Sequence, residues 1–299
     1  MKNILVTGGT TFVSKYIAEY FSKNNNVFVL NRNTKPQLEN VTLIEADRHN
    51  IVDKLRNFHF DAVIDVTAYN EKDIFDIVDS LGMFDDFIMI SSSAVYPETE
   101  QQPFKETTNI GENIHWGDYG VNKIKAEKVL RMCVPNAYIL RPPYLYGKYN
   151  NVYREAFVFD RALNKKPFYV PKNGEMKLQF FDVDDLCKTI DNLLELHPEQ
   201  HVFNVGNREA VSVCEWVKLC YDAVGVEPEI KYVDKAIEMR NYFPFRDYEY
   251  FLNVDKQSAL LKKTKPLSVG IKEAFEWYKN NKTEVVKRNY CEFIDKYLC

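Results

Sequence analysis

The sequence predicts an α/β fold, a doubly wound parallel sheet with a smaller, mostly C-terminal α+β lobe, and three observations point to it. Short β-branched runs alternate with helically spaced apolar residues from the start of the chain. The first strand, helix and strand fit within about thirty residues, the length of a right-handed βαβ unit. Past Pro142-Pro143 the alternation gives way to turn residues and aromatics.

Taken in order, residues 2–6 and 27–30 read as strands and 12–21 as the helix between them. Further strands are expected at 41–44, 62–66, 87–90 and 137–140, with helices at 51–56, 72–80 and 122–132. Such alternation implies a parallel sheet covered by helices on both faces. The core is assigned to residues 1–150 and the lobe mainly to 151–299. Apolar runs near 178–183 and 202–205 read as buried strands that return to the main sheet. Helices at 154–163 and 213–223 and a helical C-terminus complete the reading.

The 299 residues are 45% hydrophobic and 27% charged with a net charge of −4, the composition of an ordinary soluble protein. A broad nucleic-acid-binding face needs clustered cations, so nucleic acid is disfavoured as a partner. No apolar run approaches the ~18 residues that span a bilayer. The N-terminal MKNILVTGG enters a strand pattern with no basic leader, and the six cysteines form no CxxC pair, so a cytoplasmic protein with reduced thiols is expected. His49, His59, His197 and His201 have no metal spacing, and no metal is assigned.

Thr7-Gly8-Gly9-Thr10-Thr11-Phe12-Val13 joins the first strand to the first helix, where backbone N–H groups and a helix N-terminus suit a pyrophosphate. Thr11 and Ser14 stand where the usual fingerprint has further glycines. After the second strand, Asn31 occupies the place of the acid that takes the ribose hydroxyls in NAD binders, and Arg32 follows. An arginine there accommodates a 2′-phosphate, so NADP is favoured over NAD. Asp47, beside Arg48 in EADR, is a candidate for the adenine amino group or a turn aspartate.

Tyr-x-x-x-Lys occurs at Tyr119/Lys123, Tyr144/Lys148 and Tyr278/Lys282. Only the first stands beside a helical segment that follows a long polar loop. A phenol titrates at about 10, and a lysine one helical turn away stabilises the phenolate and makes it a usable base. Ser91, Ser92 and Ser93 follow FIMI at a strand's carboxyl end, and Ser92 is the hydroxyl chosen to orient a substrate oxygen. His115 and Trp116 precede Tyr119 and are read as packing residues. Arg240 and Arg246, interleaved with Tyr242, Phe243 and Phe245, suit either a phosphate and base or an aromatic packing patch.

TGGTTFV, EADR, SSSAVY, YGVNK, LRPPYLYG, FFDVDDL, FNVG and VDK, in this order along nearly the whole chain, resemble the extended short-chain dehydrogenase/reductase family, the NAD-dependent epimerases and dehydratases of nucleotide sugars. The resemblance implies a Rossmann-like core, NAD(P) as cofactor and a nucleotide sugar as substrate. Its Ser/Thr, Tyr and Lys fall on Ser92, Tyr119 and Lys123, with Lys123 also holding the nicotinamide ribose. Arg48, Thr67, Ala68, Ser91 and Pro142 complete the expected cofactor site. Tyr119 then removes a hydroxyl proton while hydride leaves the same carbon, giving a keto intermediate.

Ser93 and Ala94 replace the Asp-Glu pair of the family's dehydratases, which disfavours 4,6-dehydration and leaves an epimerase or a reductase. Tyr144 stands where an asparagine usually contacts substrate, so Ser93, Ala94, Tyr144 and Arg240 are the expected substrate residues. The altered turn and Tyr144 are also similar to an atypical branch that includes chloroplast stem-loop RNA-binding proteins. A non-catalytic or weakly catalytic protein that binds RNA or senses cofactor is therefore the alternative reading. A homodimer is the default assembly.

Overall fold

The computed structural model describes residues 1–51, 53–233 and 236–299. In the first half, β1 (Asn3–Thr7), α1 (Phe12–Ser22), β2 (Asn26–Asn31), β3 (Thr42–Glu45), β4 (His59–Asp65), α2 (Glu71–Ser80), β5 (Met83–Ile90), α3 (Asp118–Cys133) and β6 (Tyr138–Arg141) follow one another. Then come β7 (Tyr144–Tyr146), α4 (Glu155–Leu163), β8 (Phe168–Pro171), β9 (Lys177–Leu178), β10 (Phe180–Asp182), α5 (Val183–Leu196) and β11 (Val202–Asn204). The chain ends with β12 (Val211–Ser212), α6 (Val213–Val224), β13 (Ile230–Val233), α7 (Leu267–Asn280) and α8 (Tyr290–Tyr297).

The main sheet has the order β11-β6-β5-β4-β1-β2-β3, with every pairing parallel. The order of strand addition reverses between β1 and β4, which opens a crevice at their carboxyl ends. Alternation along β1 builds both faces. Ile4 and Val6 pack with Ile17, Phe21 and Ile190, whereas Leu5 packs with Val63, Ile74 and Leu130. Accordingly α1 lies against α5 on one side and α2 against α3 on the other.

The second lobe has its own core, rich in aromatics, in which Trp216 meets Phe180, Phe243 and Phe245. Small parallel pairs, β7 with β10 and β8 with β13, frame it.

Two expectations are corrected. The strand near 178–183 does not return to the main sheet: β10 pairs with β7 instead, and α5 begins at Val183, capped by the Asp182 side chain. The edge of β6 is already taken by β11, in register Ile139 to Val202. Burial of an apolar run marks a strand but not the edge it joins. The helix expected over 51–56 is a run of turns in the described residues, with Val52 outside them. Bonds such as Arg56 N to Asp53 O (3.2 Å) and Phe58 N to Leu55 O (3.2 Å) span three residues rather than four. Six residues are too few to repay helix nucleation.

Candidate active site

The turn after β1 depends on its glycines. Gly8 and Gly9 both have φ of 92°, and an added Cβ on Gly9 would stand 2.5 Å from Val29 Cγ1 in the core. The same atom on Gly8 would meet Ser14 Oγ at 2.8 Å. Thr11 is the N-cap residue of α1 but makes no side-chain cap; its carbonyl accepts from Ser14 Oγ and its hydroxyl accepts from Lys35 Nζ at 3.0 Å. Thr7 secures the turn from below, donating to Asp65 Oδ1 at 2.6 Å and accepting from the Val66 amide. Asn31 donates to the Gly8 carbonyl at 2.7 Å.

Arg48 departs from its expected place in the cofactor site. Its guanidinium is drawn inward by Asp65, Asp73 and Thr67, with Nη2 2.9 Å from Asp65 Oδ2. Paired with buried carboxylates, it braces the loop after β4 rather than facing a ligand. Asp47 accepts from the His49 amide in a tight turn, on the exposed surface with Arg32.

The other wall is built on α3. Gly120 is required in its first turn because a side chain there would run into the Ala94 carbonyl. That close approach sets Tyr119 against the end of β5, where the Ser92 side chain acts on its phenol. Tyr119 is 40% exposed and lines the cleft. Burial pushes the phenol up; Ser92 draws it down, the nearby Tyr69 phenol raises it, and the Arg154 charge lowers it.

Lys123, only 2% exposed, follows one turn later. Its ammonium donates to the carbonyls of Ala68 (2.7 Å) and Ile90 (2.9 Å), and burial pushes its pKa down to about 8. The ammonium expected to stabilise the Tyr119 phenolate is turned to these two carbonyls, while Ser92 and Arg154 draw the phenol down. A further turn along, Glu127 accepts from Ser91 Oγ (2.6 Å) and from Arg141 (2.6 and 3.0 Å), fixing α3 to β6.

These elements enclose a cleft of about 480 Å³. Of the expected residues, Thr11, Phe12, Val13, Thr67, Ser91, Ser92, Tyr119, Lys123 and Pro142 line it. Thr7, Gly8, Gly9, Thr10, Asn31 and Ala68 lie outside the lining; Thr7, Asn31 and Ala68 hold it by the bonds already given. The expected substrate residues do not. Ser93 and Ala94 are buried behind the wall. Tyr144 is packed among Trp116, Phe245 and Tyr250. Arg240 donates to the Pro244 carbonyl and lines a separate cavity with Arg288 and Tyr290.

Sequence reasoning missed Tyr69, Asn151 and Arg154 in the lining and Glu127 behind it. Only Glu127 carried a signal, the four-residue step from Lys123. His115 stacks on Tyr248 and Trp116 lies beneath Arg246, which is the packing role expected for both.

The model of the NAD dependent epimerase/dehydratase family matches residues 4–206. The chain belongs to that family. Among its relatives, the chloroplast stem-loop binding protein of 41 kDa b from Arabidopsis thaliana is 27% identical over 285 residues, covering 87% of this chain and 74% of its own. A Methanocaldococcus jannaschii protein named as a candidate UDP-glucose 4-epimerase is 28% identical over 313 residues, 93% of this chain and 99% of its own. The fold is that of the Thermotoga maritima UDP-glucose 4-epimerase solved with UDP-glucose, with a TM-score of 0.75, 20% identity, and 93% and 99% of the two chains covered. The Bacillus cereus UDP-glucuronic acid 4-epimerase with UDP-glucuronic acid and NAD gives a TM-score of 0.73 at 19% identity, again over 93% and 99%.

A dinucleotide fits the residues present. The two positive-φ glycines form a tight turn that feeds directly into α1, and Thr11, Phe12 and Val13 at that helix start line the cleft. Among the described residues no helix is long and apolar enough to cross a membrane.

Proposed function

We propose that the chain catalyses NAD(P)-dependent proton and hydride transfer at a hydroxyl-bearing carbon of a nucleotide sugar, as an epimerase or a reductase. The meeting of Ser92, Tyr119 and Lys123 in one cleft with Thr11, Phe12 and Val13 of the glycine turn is the observation that carries this reading. Tyr119 takes the hydroxyl proton, and Ser92 orients the same oxygen. Lys123 would hold the nicotinamide ribose, and Thr11, Phe12 and Val13 the pyrophosphate. Bound there, the dinucleotide supplies hydride acceptance and return. With Ser93 and Ala94 behind the wall, no carboxylate follows Ser92 to assist 4,6-dehydration.

NADP is preferred over NAD, because Arg32 is exposed beside the turn and Lys35, on Thr11, adds a second cation to the same side. Denaturing freshly purified protein and identifying the released dinucleotide by mass tests this: tightly held cofactor supports an epimerase, exchangeable NADPH a reductase, and NAD alone removes the NADP preference. Tyr119→Phe keeps cofactor binding and abolishes turnover; unchanged turnover would sink the mechanism.

A second reading, RNA binding, is favoured by the relative named for stem-loop binding and by the cavity of about 680 Å³ at Arg240 and Arg288. Arg240 is lowered by burial and then by its like-charged neighbours Arg288 and Arg246, a crowding that an anion would relieve. A gel shift with structured RNA at low salt tests it, and no shift counts against it.

A further inference from the structure

Arg154 immediately precedes α4 and lines the cleft with Ser92 and Tyr119. Its guanidinium lies over two aromatic faces, 5.1 Å from the Tyr144 ring centroid and 5.8 Å from that of Phe245. One nitrogen, Nη1, donates to the Leu145 carbonyl at 3.2 Å. These contacts fix the side chain without neutralising it. Among the described residues no carboxylate forms an ion pair with Arg154. The adjacent Glu155 acts on Arg154 through its charge but forms no ion pair with it: it is buried, its carboxyl pushed up by desolvation, and it accepts from Asn150 Nδ2 at 2.6 Å.

A partly buried guanidinium with free donors and no counter-ion is a costly arrangement in an empty cleft and a useful one in a filled cleft. Its planar fork matches a carboxylate or a phosphate, and aromatic faces on one side hold that fork in place before a ligand arrives. Its charge also reaches the Tyr119 hydroxyl, so an anion bound at Arg154 would lie near the atoms that Tyr119 addresses.

We propose that Arg154 binds an oxyanion of the substrate, a carboxylate or phosphate oxygen, beside the carbon whose hydroxyl Tyr119 deprotonates. The position of that carbon rests on the reading given under Proposed function; the oxyanion site itself does not. The substrate is accordingly recognised through a negative charge near the reacting end as well as through its sugar hydroxyls.

Equilibrium binding of UDP-glucuronic acid and UDP-glucose to the full chain, unmodified and as Arg154→Met and Arg154→Lys, tests the assignment. A carboxylate partner predicts that Arg154→Met weakens UDP-glucuronic acid by at least about tenfold and UDP-glucose by less than about threefold. A diphosphate partner predicts that both weaken by about tenfold. In either case Arg154→Lys, which keeps the charge and loses the fork, recovers part of the loss. Unchanged affinities in Arg154→Met, or no binding of either ligand to the unmodified protein, overturn the proposal. Because binding needs no turnover, the two readings fail separately. Weakened binding in an inactive protein keeps the oxyanion site and removes the reaction, whereas turnover with unchanged affinities keeps the reaction and removes the site.

Discussion

The ammonium of Lys123 donates to the Ala68 carbonyl at 2.7 Å, fastening α3 to the loop that follows β4 across the floor of the cleft. A cation held there is desolvated, and its lowered pKa of about 8 has a measurable consequence. The folded state releases the proton more readily than the unfolded chain, whose lysine titrates at about 10.4. Stability therefore rises with pH between about 8 and 10.4, by roughly 2–3 kcal/mol from this group. Urea denaturation at several pH values, compared with Lys123→Met, should show that increment only in the unmodified protein. Parallel curves would contradict the burial of Lys123.

The influence of Ser92 on the Tyr119 phenol governs a different profile. Tyr119 is raised by burial, so its base form grows as pH climbs, and kcat/KM for substrate oxidation should rise from neutral to alkaline pH. Ser92→Ala removes a hydroxyl that draws the phenol down and should shift the rise to higher pH by about one unit. A profile left in place by Ser92→Ala would separate the two residues.

The two turn glycines should respond unequally to alanine. At Gly9 the new Cβ meets Val29 Cγ1 at 2.5 Å, a core side chain with no room to move, whereas at Gly8 the contacts are longer, 2.8 Å to Ser14 Oγ, 3.0 Å to Ser14 Cβ and 3.1 Å to Thr67 Cγ2. With positive φ at both, Gly9→Ala should cost about 2–3 kcal/mol and Gly8→Ala about 1 kcal/mol less. Thermal or urea unfolding of the pair checks the order.

Glu127 is buried between Ser91 and Arg141. Glu127→Ala leaves an unpaired buried guanidinium and should destabilise the protein by about 3–5 kcal/mol. Replacing both partners with apolar residues should recover much of that loss. A double substitution as unstable as the single one would show that the loss is one of packing, not of charge.

The sequence carried the sheet well because β1, β2, β4 and β5 are buried on both faces and read as continuous apolar runs. Ser92, Tyr119 and Lys123 were legible for a similar reason, since strand end and helix spacing are local properties. What lay beyond reach depended on distant partners. Arg48 stands at a plausible cofactor position, and only its meeting with Asp65 and Asp73 shows it to be a brace. Tyr144 looked like a substrate contact until Trp116, Phe245 and Tyr250 closed around it. Arg154 gave no signal at all, because its missing counter-ion is visible only when every neighbour is placed.

The path of β11 has a further consequence. The last strand of the main sheet is supplied from beyond α4 and β8, and Val202 reaches its partner Ile139 only after the chain has passed through the other lobe. Sheet completion is thus a long-range event, made late in synthesis and slow in closing. A fragment ending near residue 150 would carry β6 with a bare edge and α1 without α5, leaving an adhesive surface rather than an independent cofactor domain. The two lobes are one cooperative unit, and the cleft between them comes into being with the fold.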